Sequence, residues 1–373
     1  MRALIAVDKF KGSLPAMAVA EAIAAGLRAG GVDWEVDLCP IADGGEGTVE
    51  AIVGALGGEW VPVESVDALG RGVQARFGIV SGGDRVREAV MEMSAVSGLA
   101  LVLDAELNPT VASTFGTGLM IREAMRRGVG RVRIGIGGSA TNDGGMGMAV
   151  ALGYRFLDAA GETVKSLPES FEGVVRIERP LDGAGFPEVV VACDVDNPLL
   201  GARGATRVYG RQKGVVDEGF FEGRLERLAE MVKRDLGVDP REVAGAGAAG
   251  GLGFGLMAFC GARLVGGFEM VAEAVRLRER MAQADVVITG EGRLDAQTLC
   301  GKGPVGVARM ARGLGKRVVG IAGGVERGVG LEAEFDVLVA TKPEAMPLAE
   351  AMARGAGLIE ESVVQLADVL REW

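Results

Sequence analysis

Short runs of branched apolar residues alternate along this chain with stretches whose apolar positions recur every three to four residues. That alternation predicts an α/β protein. Ala3–Val7 is continuously apolar, as a strand covered on both faces must be. Behind it Val19, Ile23 and Leu27 lie one helical turn apart, with Ser13 as the expected N-cap and Pro15 suited to the first turn. A second strand is expected over Glu35–Cys39, and a helix through Val49, Ile52, Val53 and Leu56 that stops at Gly57-Gly58. The C-terminal part repeats the style, with strands Val286–Thr289, Val318–Ala322 and Val337–Ala340 and a helix near Pro304–Arg312. An amphipathic helix carrying Ile359, Val363, Leu366 and Leu370 ends the pattern. The middle of the chain reads differently, with alternating strands such as Gln74–Val80 and Arg85–Met91, then Val132–Ile136 followed by a helix at Met148–Leu152.

Two strands at the start and three at the end make five, the number in a flavodoxin-like sheet. The expected fold is therefore a split flavodoxin-like parallel-sheet domain, residues 1–62 and 283–373, with a second α/β domain inserted at 63–282. One stretch, Val243 to Ala262, runs 20 residues without charge, which is spanning length. Seven of the 20 are glycine, leaving little apolar area for lipid, so a buried, tightly packed helix is expected.

Composition then narrows the chemistry. The 373 residues include no histidine, which excludes Ser-His-Asp triads, Cys-His pairs and HExxH zinc sites. Proton transfer must fall to Asp, Glu, Lys, Tyr, Cys or water. A formal charge of −11 argues against a nucleic-acid partner, which needs surplus Lys and Arg. The four cysteines, Cys39, Cys193, Cys260 and Cys300, are widely spaced and form no CxxC, as expected of thiols in a reducing cytoplasm. Charged residues at Asp8, Lys9 and Lys11 precede any apolar region of a signal peptide, and no membrane partner is expected.

Glycine is 61 of 373 residues, about twice its usual share, and it gathers where a parallel sheet places its ligands. Three expected strand ends read Asp8-Lys9-Phe10-Lys11-Gly12-Ser13, Ala42-Asp43-Gly44-Gly45-Glu46-Gly47-Thr48 and Gly290-Glu291-Gly292-Arg293-Leu294-Asp295. Each could be a solvated turn, but three at equivalent ends point to one shared site. In the inserted region Gly135–Gly147 lies between a strand and a helix, a setting in which backbone N–H groups cradle phosphate. Walker A fails, since Gly301-Lys302 is followed by Gly303 and Ala296 holds the first glycine position. Gly245-Ala246-Gly247-Ala248-Ala249-Gly250 matches GxGxxG, yet no convincing strand precedes it, so a dinucleotide site is not expected. Metal ligands must be oxygens, which suits Mg²⁺; Asp143, Asp194 and Asp196 are the candidates. Phosphoryl transfer fits these parts, because it depends on positioning and charge neutralisation rather than on an imidazole.

Those segments together resemble the class I glycerate kinases from end to end. The likeness rests on Phe10-Lys11-Gly12-Ser13, Pro40–Thr48, Gly137–Gly145, Ala192–Leu199 and Thr289–Asp295. The resemblance implies an ATP-dependent kinase of D-glycerate giving 2-phosphoglycerate, with 3-phosphoglycerate as the other possible product. It also implies a restriction-endonuclease-like fold for the inserted domain. Lys9 stands where the family carries serine. The roles expected for the residues are our inference. Asp295 would take the attacking hydroxyl's proton, with Asp8 as second candidate, while Lys11 and Arg293 face the substrate carboxylate or the phosphoryl group. Asp43 and Glu291 would hydrogen-bond the hydroxyls or position Mg²⁺. Gly137, Gly138, Ser139, Thr141 and Asn142 would hold ATP, and Asp143 and Asp196 would hold Mg²⁺. A kinase of another small hydroxy acid is the alternative enzyme, and a ligand-sensing module without turnover is the alternative of a different class.

Overall fold

The computed structural model describes residues 1–82, 86–180, 185–296, 298–300 and 303–373, with only the backbone of Cys300. Arg85, expected to open a strand, and Gly301 and Lys302 of the Walker A comparison lie outside the described residues. The chain forms two compact units, Met1–Gly58 with Val271–Trp373, and Glu59–Met270. The junctions differ from the expected ones for a physical reason. Residues 59–62 already belong to the strand Glu59–Val66, which pairs with Gly72–Ser81 inside the second unit. Residues 271–282 include the helix Leu277–Ala282, and its Arg280 grips Asp37 of the first unit.

The first unit holds a five-stranded sheet in the spatial order Val337–Ala340, Arg317–Ala322, Val286–Gly290, Arg2–Val7, Glu35–Leu38. Every pairing is parallel. Ala3 to Val7 are fully buried in the interior strand, as its unbroken apolar run requires. The register sets Val7 beside Gly290, and the Asp8 N–H continues the ladder to the Gly290 carbonyl at 2.8 Å. On the other side the Ile41 N–H reaches the Val7 carbonyl at 2.9 Å. Three chain segments therefore leave the sheet at one level, which places their loops side by side.

Ser13 does not cap the first helix. Gly12, at φ +75°, folds Phe10–Leu14 into a tight turn, and the helix starts at Ala16 behind Pro15. The Ser13 hydroxyl donates instead to the Met352 carbonyl at 2.7 Å.

The second unit is built on a six-stranded mixed sheet, ordered Arg263–Val265, Glu188–Ala192, Arg131–Gly135, Arg87–Glu92, Gly72–Ser81, Glu59–Val66. The first four strands run parallel, and the last two add an antiparallel edge. Its core is dense with Val, Ile, Met and Phe. The uncharged run Val243–Ala262 is not one helix. Its helical part, Ala248–Cys260, is broken by Ala249, Gly250 and Gly251 in left-handed conformations. Among the described residues no helix is long and apolar enough to cross a membrane.

Candidate active site

In the first unit the sheet register gathers the charged loops named above. Asp8 follows directly on a buried strand and is itself 8% exposed. Its carboxylate accepts from the Lys9 N–H at 2.6 Å. Burial, reinforced by the nearby Asp43 charge, pushes the Asp8 carboxyl up to about 6. Glu291 leaves the adjacent strand and is half-buried. Burial is again the main cause of its rise to about 7, with the charges of Asp8, Asp295 and Asp43 acting in the same direction. The Thr298 hydroxyl opposes that rise by donating to Glu291 Oε1 at 2.9 Å. Asp8, Asp43, Glu291 and Asp295 thus share one electrostatic neighbourhood, as three loops at equivalent strand ends require.

The glycines beside these carboxylates serve close backbone approach. A Cβ on Gly290 would sit 1.7 Å from the Ile321 carbonyl oxygen, so no other residue fits ahead of Glu291. Asp43 Oδ1 accepts from the Gly45 N–H at 3.0 Å, folding its own loop. Lys9, the departure from the family pattern, is tied to the same loop: its ammonium donates to the Glu46 carbonyl and lies 3.8 Å from the Glu46 carboxylate. A pocket of about 230 Å³ opens beside Lys9, Lys11, Ser13 and Glu46. Lys11 is exposed there. Arg293 is also exposed and lies 3.5 Å from the Asp295 carboxylate.

The glycine-rich loop of the second unit is in large part buried. Of the proposed nucleotide ligands only Gly137 and Gly138 are exposed; Ser139, Thr141 and Asn142 are buried. The helix that follows, Met146–Ala151, has its N-terminus filled from within the chain. Asp143 accepts from Gly145 N at 3.1 Å through Oδ1. Through Oδ2 it accepts from Thr114 N at 2.9 Å, Thr114 Oγ1 at 2.8 Å and Gly147 N at 3.1 Å. Four donors saturate a fully buried carboxylate, whose burial pushes its pKa up against their combined pull. Neither a phosphate at that helix start nor a cation at Asp143 fits this arrangement.

Gly144 and Gly145 of this loop, and the Thr141 carbonyl, meet another backbone. A Cβ on Gly250 would lie 1.9 Å from the Thr141 carbonyl oxygen, and one on Gly145 would lie 2.9 Å from Gly255 Cα. Beneath the loop, the ammonium of Lys213 is buried and donates to Ser139 Oγ at 2.6 Å and to the Thr141 carbonyl at 2.7 Å. Burial pulls the Lys213 amine down to about 7, and the Asp143 charge opposes that shift.

Asp196, the other expected metal ligand, lies at the surface. Its side chain is 73% exposed and is paired with Arg203 at 2.5 Å. Asp194 accepts from the Gly267 N–H at 3.0 Å. Among the described residues no group of three His, Cys, Asp or Glu side chains is arranged to hold a metal ion. Sequence reasoning missed Thr298, Thr114 and Lys213. Thr298 had a weak signal in its nearness to Asp295, whereas nothing in Arg211-Gln212-Lys213-Gly214 distinguishes a buried lysine from a solvated one.

The model of the Glycerate kinase family matches residues 3–371. A glycerate kinase of Halalkalibacterium halodurans is 43% identical over 99% of this chain and 98% of its own length. The glycerate 2-kinase of Escherichia coli K12 is 43% identical over 91% of each chain. A crystal structure from Salmonella typhimurium LT2 assigned to glycerate kinase 2 superposes with a TM-score of 0.89 at 42% identity, covering 100% of this chain and 98% of that one.

Proposed function

The chain belongs to the glycerate kinase family, and from that premise we propose that it transfers the γ-phosphoryl group of ATP to a hydroxyl of D-glycerate, giving 2-phosphoglycerate. The observation that carries this reading is the gathering of Asp8, Asp43, Glu291 and Asp295 at the carboxyl ends of a parallel sheet. Carboxylates there can bind hydroxyls and accept a proton without histidine. Lys11 and Arg293 supply the positive charge for the glycerate carboxylate or the moving phosphoryl group, and Asp43 a hydroxyl contact. Asp295, Asp8 and Glu291 are the carboxylates near the reaction from which its proton acceptor is drawn.

The strand order of the first unit, with the opening strand second from one edge and the later strands following in sequence, supports a flavodoxin-like reading. The resemblance assigns the second unit a restriction-endonuclease-like fold, and its mixed six-stranded sheet accords with that. Within the expected nucleotide loop, phosphate contact is assigned to the exposed turn Gly137–Gly138, since Ser139, Thr141 and Asn142 are buried. Mg²⁺ accompanies the ATP phosphates in this reading, and no protein carboxylate is assigned to it. The described free thiols Cys39, Cys193 and Cys260 and the need for ATP support a cytoplasmic setting.

The test is ADP formation with ATP, Mg²⁺ and a panel of small hydroxy acids. D-Glycerate should give the highest kcat/KM. Preference for another acid would replace the substrate, and glycerate binding without any ADP would favour the sensing module.

A further inference from the structure

The four carboxylates differ in how they are held, and one of them is held by a residue without an assigned role. Thr298 opens a single turn of 3₁₀ helix, Thr298–Cys300, and is 8% exposed. Its backbone N–H donates to the Asp295 carbonyl at 3.0 Å, and its Oγ1 accepts from the Asp295 N–H at 3.1 Å. A hydroxyl has one proton. With Asp295 bound to its oxygen, Thr298 directs that proton to Glu291 Oε1 at 2.9 Å.

We propose that Thr298 is a positioning residue and that, through this fixed hydroxyl, it makes Glu291 the proton acceptor of the transfer, with Oε1 held by Thr298 and Oε2 left to take the proton. The inference deepens the glycerate kinase reading and rests on it. Asp8 is less suited, being almost fully buried with its Oδ1 held by the Lys9 N–H. The Asp295 carboxylate faces Arg293 at 3.5 Å. Glu291 is half-buried, accessible to a substrate hydroxyl and oriented by a group that prefers its ionised form.

In the step itself, the substrate O–H proton passes to Glu291 Oε2 as the substrate oxygen forms its bond to the γ-phosphorus of ATP. The bond from that phosphorus to the bridging oxygen breaks, and ADP leaves with the electron pair. Glu291 later returns the proton to water. The groups facing Glu291 are the carboxylates of Asp8, Asp43 and Asp295 and the Thr298 hydroxyl. Burial and, to a lesser degree, the three charges raise its proton affinity, and the hydroxyl lowers it.

The test compares wild type with Glu291→Gln, Thr298→Val and Thr298→Ser, using ATP, Mg²⁺ and D-glycerate from about pH 4 to about 9, a range spanning ordinary carboxylate and raised values. Glu291→Gln should lower kcat about 10²–10⁴-fold with KM little changed. Thr298→Val should lower kcat and move the acidic limb of kcat/KM upward by about one pH unit, because a hydrogen bond to the ionised form is lost. Thr298→Ser should restore both. Glu291→Gln within about threefold of wild-type kcat overturns the inference, being far short of a base's share. So does an unmoved acidic limb in Thr298→Val that serine does not alter. If Thr298→Val does not fold, Glu291→Gln decides alone. Wild type that forms no ADP from glycerate overturns the underlying reading as well, whereas active wild type with active Glu291→Gln overturns only the assignment of Glu291.

Discussion

Asp143 separates two accounts of the glycine-rich loop, and Asp143→Asn tests them. In the expected metal role, the amide would weaken Mg²⁺ use and leave the fold intact. The structure gives a different outcome. An amide has one oxygen where the carboxylate has two, so one position must present N–H groups to existing donors. If the nitrogen replaces Oδ2, three bonds are lost, from Thr114 N, Thr114 Oγ1 and Gly147 N. If it replaces Oδ1, only the Gly145 bond is lost, so this orientation is preferred. Even then one charge-assisted bond disappears, about 1.5–3 kcal/mol, and a buried donor is left facing another donor, about 1–3 kcal/mol. The expected loss is about 2.5–6 kcal/mol, at about 2–4 °C per kcal/mol in a unit of this size, or a Tm fall on the order of 10 °C. Thermal unfolding by circular dichroism measures it, with Asp196→Asn as the exposed comparison that should hardly change. The dependence of rate on Mg²⁺ concentration should be unaltered in the folded fraction of Asp143→Asn. A variant with wild-type Tm and a much raised Mg²⁺ requirement would refute this reasoning.

Lys213 gives a pH-dependent prediction. Its amine binds protons less readily in the folded chain, at about 7 against an ordinary 10.5, so the unfolded state holds more protons between those values. The burial penalty is therefore complete below about pH 7 and is relieved as pH rises toward 10.5, by up to about 1.4 kcal/mol per unit. Urea unfolding of wild type and Lys213→Met should show a stability difference that shifts in favour of wild type from pH 7 to 9.5, and a constant difference would contradict the buried ammonium. Gly250→Ala should fail to give a stable native fold, since its Cβ would lie 1.9 Å from the Thr141 carbonyl oxygen at φ +67°. Recovery of Gly250→Ala with a wild-type melting curve would show that the two backbones are not in contact. Wild-type kcat/KM should fall on the acid side near pH 7, where the ionised Glu291 is lost. An acidic limb below pH 5 would remove the group from that role.

The sheet strands were legible because a strand covered on both faces must be apolar throughout, and Ala3–Val7 and Val286–Thr289 satisfy that without ambiguity. Reading the ends of those strands located Asp8, Asp43 and Glu291, since a parallel sheet puts its carboxyl ends together. The glycine-rich loop is ambiguous in the sequence for a reason local to glycine. A missing Cβ permits close approach to a phosphate or to another backbone, and Gly144-Gly145 carries no mark that distinguishes them. The second glycine cluster, 250–255, was the available sign, because two such clusters in one chain can pack on each other. Asp143 looked like a ligand by residue type; only the fold reveals that Thr114 and the next helix already use both its oxygens. Ser13 met the composition of an N-cap, but Gly12 and Pro15 set the turn and directed its hydroxyl to Met352.

The most direct test of the central claim follows the product. The protein is incubated with ATP, Mg²⁺ and D-glycerate, enolase alone is added, and phosphoenolpyruvate is monitored by its absorbance. The account predicts immediate phosphoenolpyruvate matched to the ADP formed, which requires 2-phosphoglycerate. Signal only after adding phosphoglycerate mutase would move the transfer to the 3-hydroxyl, and ADP formation indifferent to glycerate would contradict the claim itself.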